Sequence, residues 1–427
     1  MNVFLFLKKL KKWAVFRYFK KSFIIILLML MYFIFLIIIR FKSNSKSVAS
    51  TITPTLPIIS NKTYTKKNLT SLPFKPNPVN YKGLNAIFDS KIDNNTVLIF
   101  ENSLYHQECT PGYTKYFLEL GYKVDIIFDH FGLNSFCLFE DMKNIRIFTF
   151  YSSLYQMTKN PEKFRTIFKN YSYILIESTE GWRRDFYEKL GLFERNSSIF
   201  LVHGHGSIEA AGILIFSHQN RVWSIGNLQN TLFVKPHYFG KINLRKKNNR
   251  TTFFVQSNGH RNYTYITLAA EKLKKENLDF EVIVIGKGRA FSYQNINNNL
   301  KDNFKFKYSV SFIELYKSVD RCDFIIINLY PVLNDEYRTI RVTGAAQLSY
   351  GFLKPALIHK GFADFYNMSA ENSLIFDDNN FYEVMREAIL LTDEEYQQKQ
   401  NELINLSERL YNISLHNVNK TINSIQS

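Results

Sequence analysis

Between residues 95 and 203 the chain repeats one kind of segment, a short run that is apolar on both faces. The runs are NTVLIFE (Asn95 to Glu101), KVDIIF (Lys123 to Phe128), IRIFTF (Ile145 to Phe150), YILIE (Tyr173 to Glu177) and IFLVH (Ile199 to His203). A strand with water on one side alternates polar and apolar residues. A run that is apolar throughout must be covered on both sides. Helical stretches fall between the runs, at Pro111 to Leu120, closed by Gly121, and at Trp182 to Leu190. The polar, basic stretch Lys241 to Arg250 (KINLRKKNNR) breaks the pattern and reads as a linker. The pattern then restarts with strands at Thr251 to Val255, Phe280 to Ile285, Phe304 to Tyr308, Phe324 to Asn328, Ala356 to Ile358 and Asn372 to Phe376. Helices are expected at Tyr265 to Glu276, Ile313 to Val319, Phe381 to Thr392 and Glu394 to Tyr411. The expectation is an α/β chain of two tandem Rossmann-like domains, 84–240 and 251–427. Ligands of such sheets bind beyond the carboxyl ends of the strands, which places the site in the cleft between domains.

The front of the chain is different. Ser22 to Ile39 (SFIIILLMLMYFIFLIII) is uncharged and contains neither Gly nor Pro. A run of that length and hydropathy suits a transmembrane helix. Seven basic residues precede it, so the positive-inside rule leaves 1–21 as a cytoplasmic tail and the rest lumenal or external, in a Golgi or ER membrane. A cleaved signal peptide is the alternative, but no small-residue cleavage site lies close behind the run. Residues 40–83, rich in Ser, Thr, Pro, Asn and Lys, read as an extended stem. Eleven N-x-[ST] triplets, from Asn61 to Asn419, fit a lumenal glycoprotein.

Charge supports this division. The chain carries a formal +17, yet no acid precedes Asp89, and fifteen Lys and Arg lie before it. The remainder is close to neutral, which argues against nucleic acid as a partner. Three cysteines (Cys109, Cys137, Cys322) are too few for a disulfide scaffold. Cys109 and Cys137 could pair in an oxidising lumen; otherwise all three serve as small buried hydrophobes.

The residues able to hold a ligand follow the strands. After the first strand of the second domain comes Gln256-Ser257-Asn258-Gly259-His260-Arg261, a Gly-bearing loop with an Arg suited to a diphosphate. Gly286-Lys287-Gly288 follows the next strand, where glycine lets a ring or backbone approach. RVTGAAQLSYGFLKPALI (Arg341 to Ile358) then opens a helix on small residues. Arg341, the Thr343 hydroxyl and the backbone at Gly344 and Ala345 could hold a phosphate there. Glu336 could accept from sugar hydroxyls. In the first domain, His203-Gly204-His205-Gly206 ends the fifth strand. His203 or His205 could act as a base, contact sugar or phosphate, or be structural. Glu177 and Glu180 are candidate acceptor-binding acids.

The ordered set, a Gly-Arg loop after one strand, G-x-G after the next and T-G-(small)-x-L-x-x-G-x-x-K-P before an apolar strand, resembles the donor domain of GT-B-fold Leloir glycosyltransferases. The resemblance spans roughly Leu84 to Ala388. It implies a second domain that binds a nucleotide diphosphate sugar, with Arg261 on the diphosphate, Gly286 to Gly288 near the base and Thr343 to Ala345 on phosphate or ribose. It implies a first domain that binds a glycan, glycoprotein or lipid acceptor. The nucleotide sugar is a co-substrate, with no further cofactor. No D-x-D triplet occurs in the chain, so no metal requirement is expected. The sequence departs from the family at two points. Many retaining members carry a second glutamate eight residues after the first, and here position 344 is Gly and Gln347 stands near the place. The Lys usual after the Arg is missing, since Asn262, Tyr263 and Thr264 follow. A catalytically silent glycan-binding protein and a sugar-nucleotide epimerase are the other readings. The sequon at Asn262 is expected to be unmodified, because a glycan there would block the cleft.

Overall fold

The computed structural model describes residues 81–101, 107–129, 138–139, 141–150, 154–177, 184–194, 197–202, 212–215, 232–240, 242, 244–257, 261–286, 291–339 and 342–426. All belong to the second of two compact units, which begins at Leu69. The tail, the apolar run 22–39 and nearly all of the stem lie outside the described residues. Among the described residues no helix is long and apolar enough to cross a membrane.

Two parallel sheets carry the fold. The first holds β1 (Tyr81–Gly83), β2 (Thr96–Glu101), β3 (Lys123–Asp129), β4 (Ile145–Phe150), β5 (Tyr173–Ile176), β6 (Ser198–Val202), β7 (Gly212–Ile215) and β8 (Leu232–Phe233). Its order is β1-β4-β3-β2-β5-β6-β7-β8. The second holds β9 (Thr251–Ser257), β10 (Phe280–Gly286), β11 (Phe304–Tyr308), β12 (Phe324–Ile327), β13 (Ala356–His359) and β14 (Leu374–Phe376), in the order β11-β10-β9-β12-β13-β14. Each contains the doubly wound order 3-2-1-4-5-6, which reverses between β2 and β5 in the first sheet and between β9 and β12 in the second. All strand pairs are parallel; Val97, for instance, faces Val124 on one side and Tyr173 on the other.

The helices are α1 (Thr110–Glu119), α2 (Pro161–Phe168), α3 (Arg184–Lys189), α4 (Thr264–Lys275), α5 (Phe312–Arg321), α6 (Glu336–Thr339), α7 (Gly344–Phe352), α8 (Lys360–Ala363), α9 (Phe381–Leu390) and α10 (Asp393–Gln426). Sequence predicts the strand cores closely, because a doubly covered strand is a continuous apolar run. It predicts neither β1, β7 and β8 nor α2. The first three are pieces of two to four residues at or beside the sheet's two edges, too short to show a period.

The largest departure is α10. A helix ending at Tyr411 is expected, and the helix runs on to Gln426. Leu403, Leu406 and Leu410 pack in the second sheet's core, with Ile325 and Ile358. Val418 and Ile422 pack in the first sheet's core, with Val97 and Tyr113. The continuation exists because its apolar residues have a second core to enter.

The crossover between the sheets, residues 234–239, is held along this helix. The Lys235 N–H donates to Ser414 Oγ at 3.0 Å, and Asn417 Nδ2 donates to the Phe233 carbonyl at 2.8 Å. His237 lies between the Lys235 and Ser407 carbonyls, 2.8 Å from Nδ1 and 3.1 Å from Nε2; burial draws its imidazole down to about 4, and the neutral ring donates to one of the two. Gly351 lets the crossover lie against α7, since a Cβ there would stand 2.1 Å from the Phe239 ring.

Candidate functional site

The reversal point of the second sheet gathers several of the predicted residues. Strand β9 ends at Gln256 and Ser257, and β12 beside it ends at Ile327, followed by Asn328. The Arg261 guanidinium lies over the Tyr337 ring, 4.3 Å from its centroid, and its Nη1 is buried without a hydrogen-bond partner. Tyr337 follows Glu336, the first residue of α6, and both are half-buried. The Tyr337 carbonyl accepts from Tyr366 Oη at 3.3 Å, and the same hydroxyl accepts the Thr343 N–H at 3.1 Å. Arg261 and the start of α7 are therefore tied together through two tyrosines.

Helix α7 begins at Gly344 with Thr343 extended before it (φ −82, ψ 134), and the Thr343 side chain makes no capping bond. Its first N–H groups, at Gly344 and Ala345, point out of the helix without an intrahelical acceptor, and the dipole favours an anion there. Gly344 is exposed and has room, since a Cβ there would come no closer than 3.5 Å, to Gln256 Oε1. Ala345 is buried against the core.

Asn328 was not picked out from sequence. It is 6% exposed, its Oδ1 accepts from Tyr265 Oη at 2.8 Å, and its Nδ2 is buried without a partner. The Arg261 charge favours the ionised form of both Tyr265 and Tyr366, although burial dominates and raises each. The only signal in the sequence is the polar residue that ends FIIIN. Two unpartnered donors and a helix N-terminus thus converge at one strand edge, an arrangement that accepts an anion with several oxygens.

Gly286 answers to a packing need. A Cβ there would lie 2.3 Å from the Ser257 carbonyl oxygen, so it is the neighbouring strand that makes the close approach. Asn262 Oδ1 accepts the Thr264 N–H at 3.0 Å, an Asx turn that leads into α4. Gln347, expected near a catalytic acid position, donates from Nε2 to the Pro236 carbonyl at 2.8 Å and joins α7 to the crossover. Gly259, Lys287, Gly288, Arg341, His203 and His205 lie outside the described residues.

The first sheet's reversal point has another character. Glu101 and Glu177, one step beyond the paired Phe100 and Ile176, stand side by side and are both 0% exposed. Thr110 Oγ1, at the start of α1, donates to Glu177 Oε2 at 2.6 Å. Burial, and then the Glu101 carboxyl, hold Glu177 well above the ordinary glutamate range. Two such carboxyls in contact share a proton, because both cannot ionise together in a dry site. Burial also raises Cys109 and Tyr113 beside them. Cys109 and Cys322 are buried free thiols, and Cys137 lies outside the described residues.

No protein-family model and no curated protein matches the chain. Solved structures do match in fold. A glycosyltransferase from Rickettsia africae superposes with a TM-score of 0.52 at 13% identity, over 78% of this chain and 99% of that one. A TarM variant from S. aureus, solved with fondaparinux, α-GlcNAc-glycerol and UDP, gives 0.53 at 8% identity, over 78% and 100%. The chain has the two-domain GT-B fold of these glycosyltransferases.

Proposed function

We propose that the protein is a glycosyltransferase that moves a sugar from a nucleotide diphosphate donor to a glycan, glycoprotein or lipid acceptor. The observation that carries this reading is the convergence of Arg261 Nη1, the Asn328 amide and the start of α7 at the second sheet's reversal point. Buried donors left without partners are costly, and an anionic ligand satisfies them together. A diphosphate leaving group gains charge as the glycosidic bond to the donor breaks, and fixed donors aimed at that charge lower the barrier. The GT-B fold, and the UDP named with the TarM variant, favour a nucleotide sugar over other anions.

The acceptor would enter from the first domain, with Glu336 and His203 or His205 as the groups for its hydroxyl. The apolar run 22–39 would anchor the enzyme as a single-pass type II protein of the Golgi or ER, with the catalytic part lumenal and no metal needed. The test is hydrolysis and transfer of a full nucleotide-sugar panel by the detergent-purified chain, alongside Arg261→Ala. Turnover of one donor, lost in the variant, supports the reading. Binding of glycan with no donor bound or consumed would replace it with a glycan-binding protein.

A further inference from the structure

The strands of a parallel sheet point one way, so the turns that enter them lie at the edge opposite the one where ligands bind. Among the described residues, three of these entry turns hold the asparagine of an N-x-[ST] triplet: Asn94 before β2, Asn170 before β5 and Asn249 before β9. The hydroxyl residue of each triplet stands at the start of the strand or one position before it, as Thr96, Ser172 and Thr251. Asn196, before β6, lies outside the described residues.

The backbone of each turn is fixed. The Thr96 N–H donates to the Asp93 carbonyl and the Lys123 N–H to the Asn95 carbonyl, both at 3.0 Å. The Asn170 N–H donates to the Ile167 carbonyl at 3.1 Å, and the Ser172 N–H reaches the Thr96 carbonyl at 2.9 Å, which sets the first two turns side by side. The Asn248 N–H donates to Asp323 Oδ1 at 2.9 Å, and Arg250 Nε donates to the Phe280 carbonyl at 3.2 Å. Between these fixed points Asn94, Asn170 and Asn249 are exposed. A firm surface turn that shows one asparagine to water has room for a large polar group on its amide.

Other triplets of the chain sit differently. Asn367 is half-buried at a positive φ of 53, and its Nδ2 is shut away from water. Asn262 spends its Oδ1 on the turn into α4, one residue after Arg261 on the ligand edge. Asn405, Asn412 and Asn419 are exposed, but they stand inside the continuous helix α10 instead of a surface loop.

We propose that Asn94, Asn170 and Asn249 carry N-linked glycans. The co-reactant is an oligosaccharide on a polyprenyl diphosphate. The bond from its anomeric carbon to the diphosphate oxygen breaks, a bond from that carbon to the asparagine Nδ2 forms, the amide gives up one proton and the polyprenyl diphosphate leaves. The inference rests on the lumenal placement proposed above. It deepens that reading by naming asparagines that the fold leaves open, on the edges where strands begin and away from the edge that bears Arg261 and Asn328.

The test expresses the full chain in a eukaryotic cell that glycosylates secreted proteins and reads each asparagine by mass spectrometry of peptides, before and after enzymatic release of N-glycans. Wild type, Asn94→Gln, Asn170→Gln, Asn249→Gln and Ser172→Ala are compared. Asn61 and Asn68, in the stem, report independently whether the chain enters the lumen. The expected result is glycan on Asn94, Asn170 and Asn249 and none on Asn262 or Asn367. Each Asn→Gln variant loses one glycan, and Ser172→Ala loses the one on Asn170 although the asparagine remains. If Asn61 or Asn68 is glycosylated and any of the three is bare, the inference is overturned at that site and the lumenal placement stands. A glycan on Asn367 in the folded chain overturns the argument from exposure. If every asparagine is bare, the stem included, the lumenal placement falls and takes this inference with it.

Discussion

The two sheets share one strand order and put opposite chemistry at its reversal point. In the second sheet the edge presents donors: Arg261, the Asn328 amide and the N-terminus of α7. In the first it presents acids, Glu101 and Glu177, both fully buried, with Glu177 bonded to α1 through Thr110. Topology fixes where a ligand can sit; the side chains that end the strands fix which charge it may carry. The donor-lined edge suits a diphosphate. The acid-lined edge does not suit one, and burial there favours the neutral form of Glu177.

The largest effect tests this contrast directly. Arg261→Ala should lower donor turnover by two orders of magnitude or more, as expected for loss of a charged donor to a leaving group, about 3 kcal/mol. Glu177→Gln should leave pyrophosphate binding within about threefold, since its neutral amide resembles the protonated acid. Equal losses in both would break the comparison, and steady-state kinetics with calorimetry reads both.

Next in size is a packing effect. Gly286→Ala places a Cβ 2.3 Å from the Ser257 carbonyl, which neither strand can yield, and should cost about 3 kcal/mol in urea unfolding. Gly344→Ala, with room around it, should cost under about 1 kcal/mol and affect ligand binding more than folding.

The pH dependence is the third test. Glu177 has its folded value raised above the unfolded one, so folding favours the neutral acid. Its contribution is complete below the ordinary glutamate range and is lost as pH rises through the raised value. The difference in thermal midpoint, wild type minus Glu177→Gln, should therefore fall as pH rises. A difference that stays constant, or that grows with pH, would contradict a raised Glu177.

The smallest effect concerns Thr110→Val, which removes the 2.6 Å bond to Glu177 and should cost about 1 to 2 kcal/mol. It should push the pH dependence further in the direction already set, because that bond favours the ionised form.

Much of the fold was legible in the residues. YILI, FIII and FEVIVI are strands because only a doubly covered strand is apolar throughout, and the break at Lys241 to Arg250 marks where one sheet gives way to the next. Arg261, Thr343, Gly344 and Ala345 were legible as candidates for an anion site because glycine, arginine and a helix start follow strand ends. Asn328 was not, because it looks like the end of a strand. Gln347 looked like a displaced acid and proves to join α7 to the crossover.

The sequence alone determined the periods, and hence the strands, the helices and the α/β class, because local burial pattern is written residue by residue. Only the tertiary structure decided that Glu101 meets Glu177, that Arg261 rests on Tyr337, and that α10 enters two cores. Those partners are 76, 76 and many more residues apart in the chain, and no local pattern encodes which distant side chain will remove a charge from water.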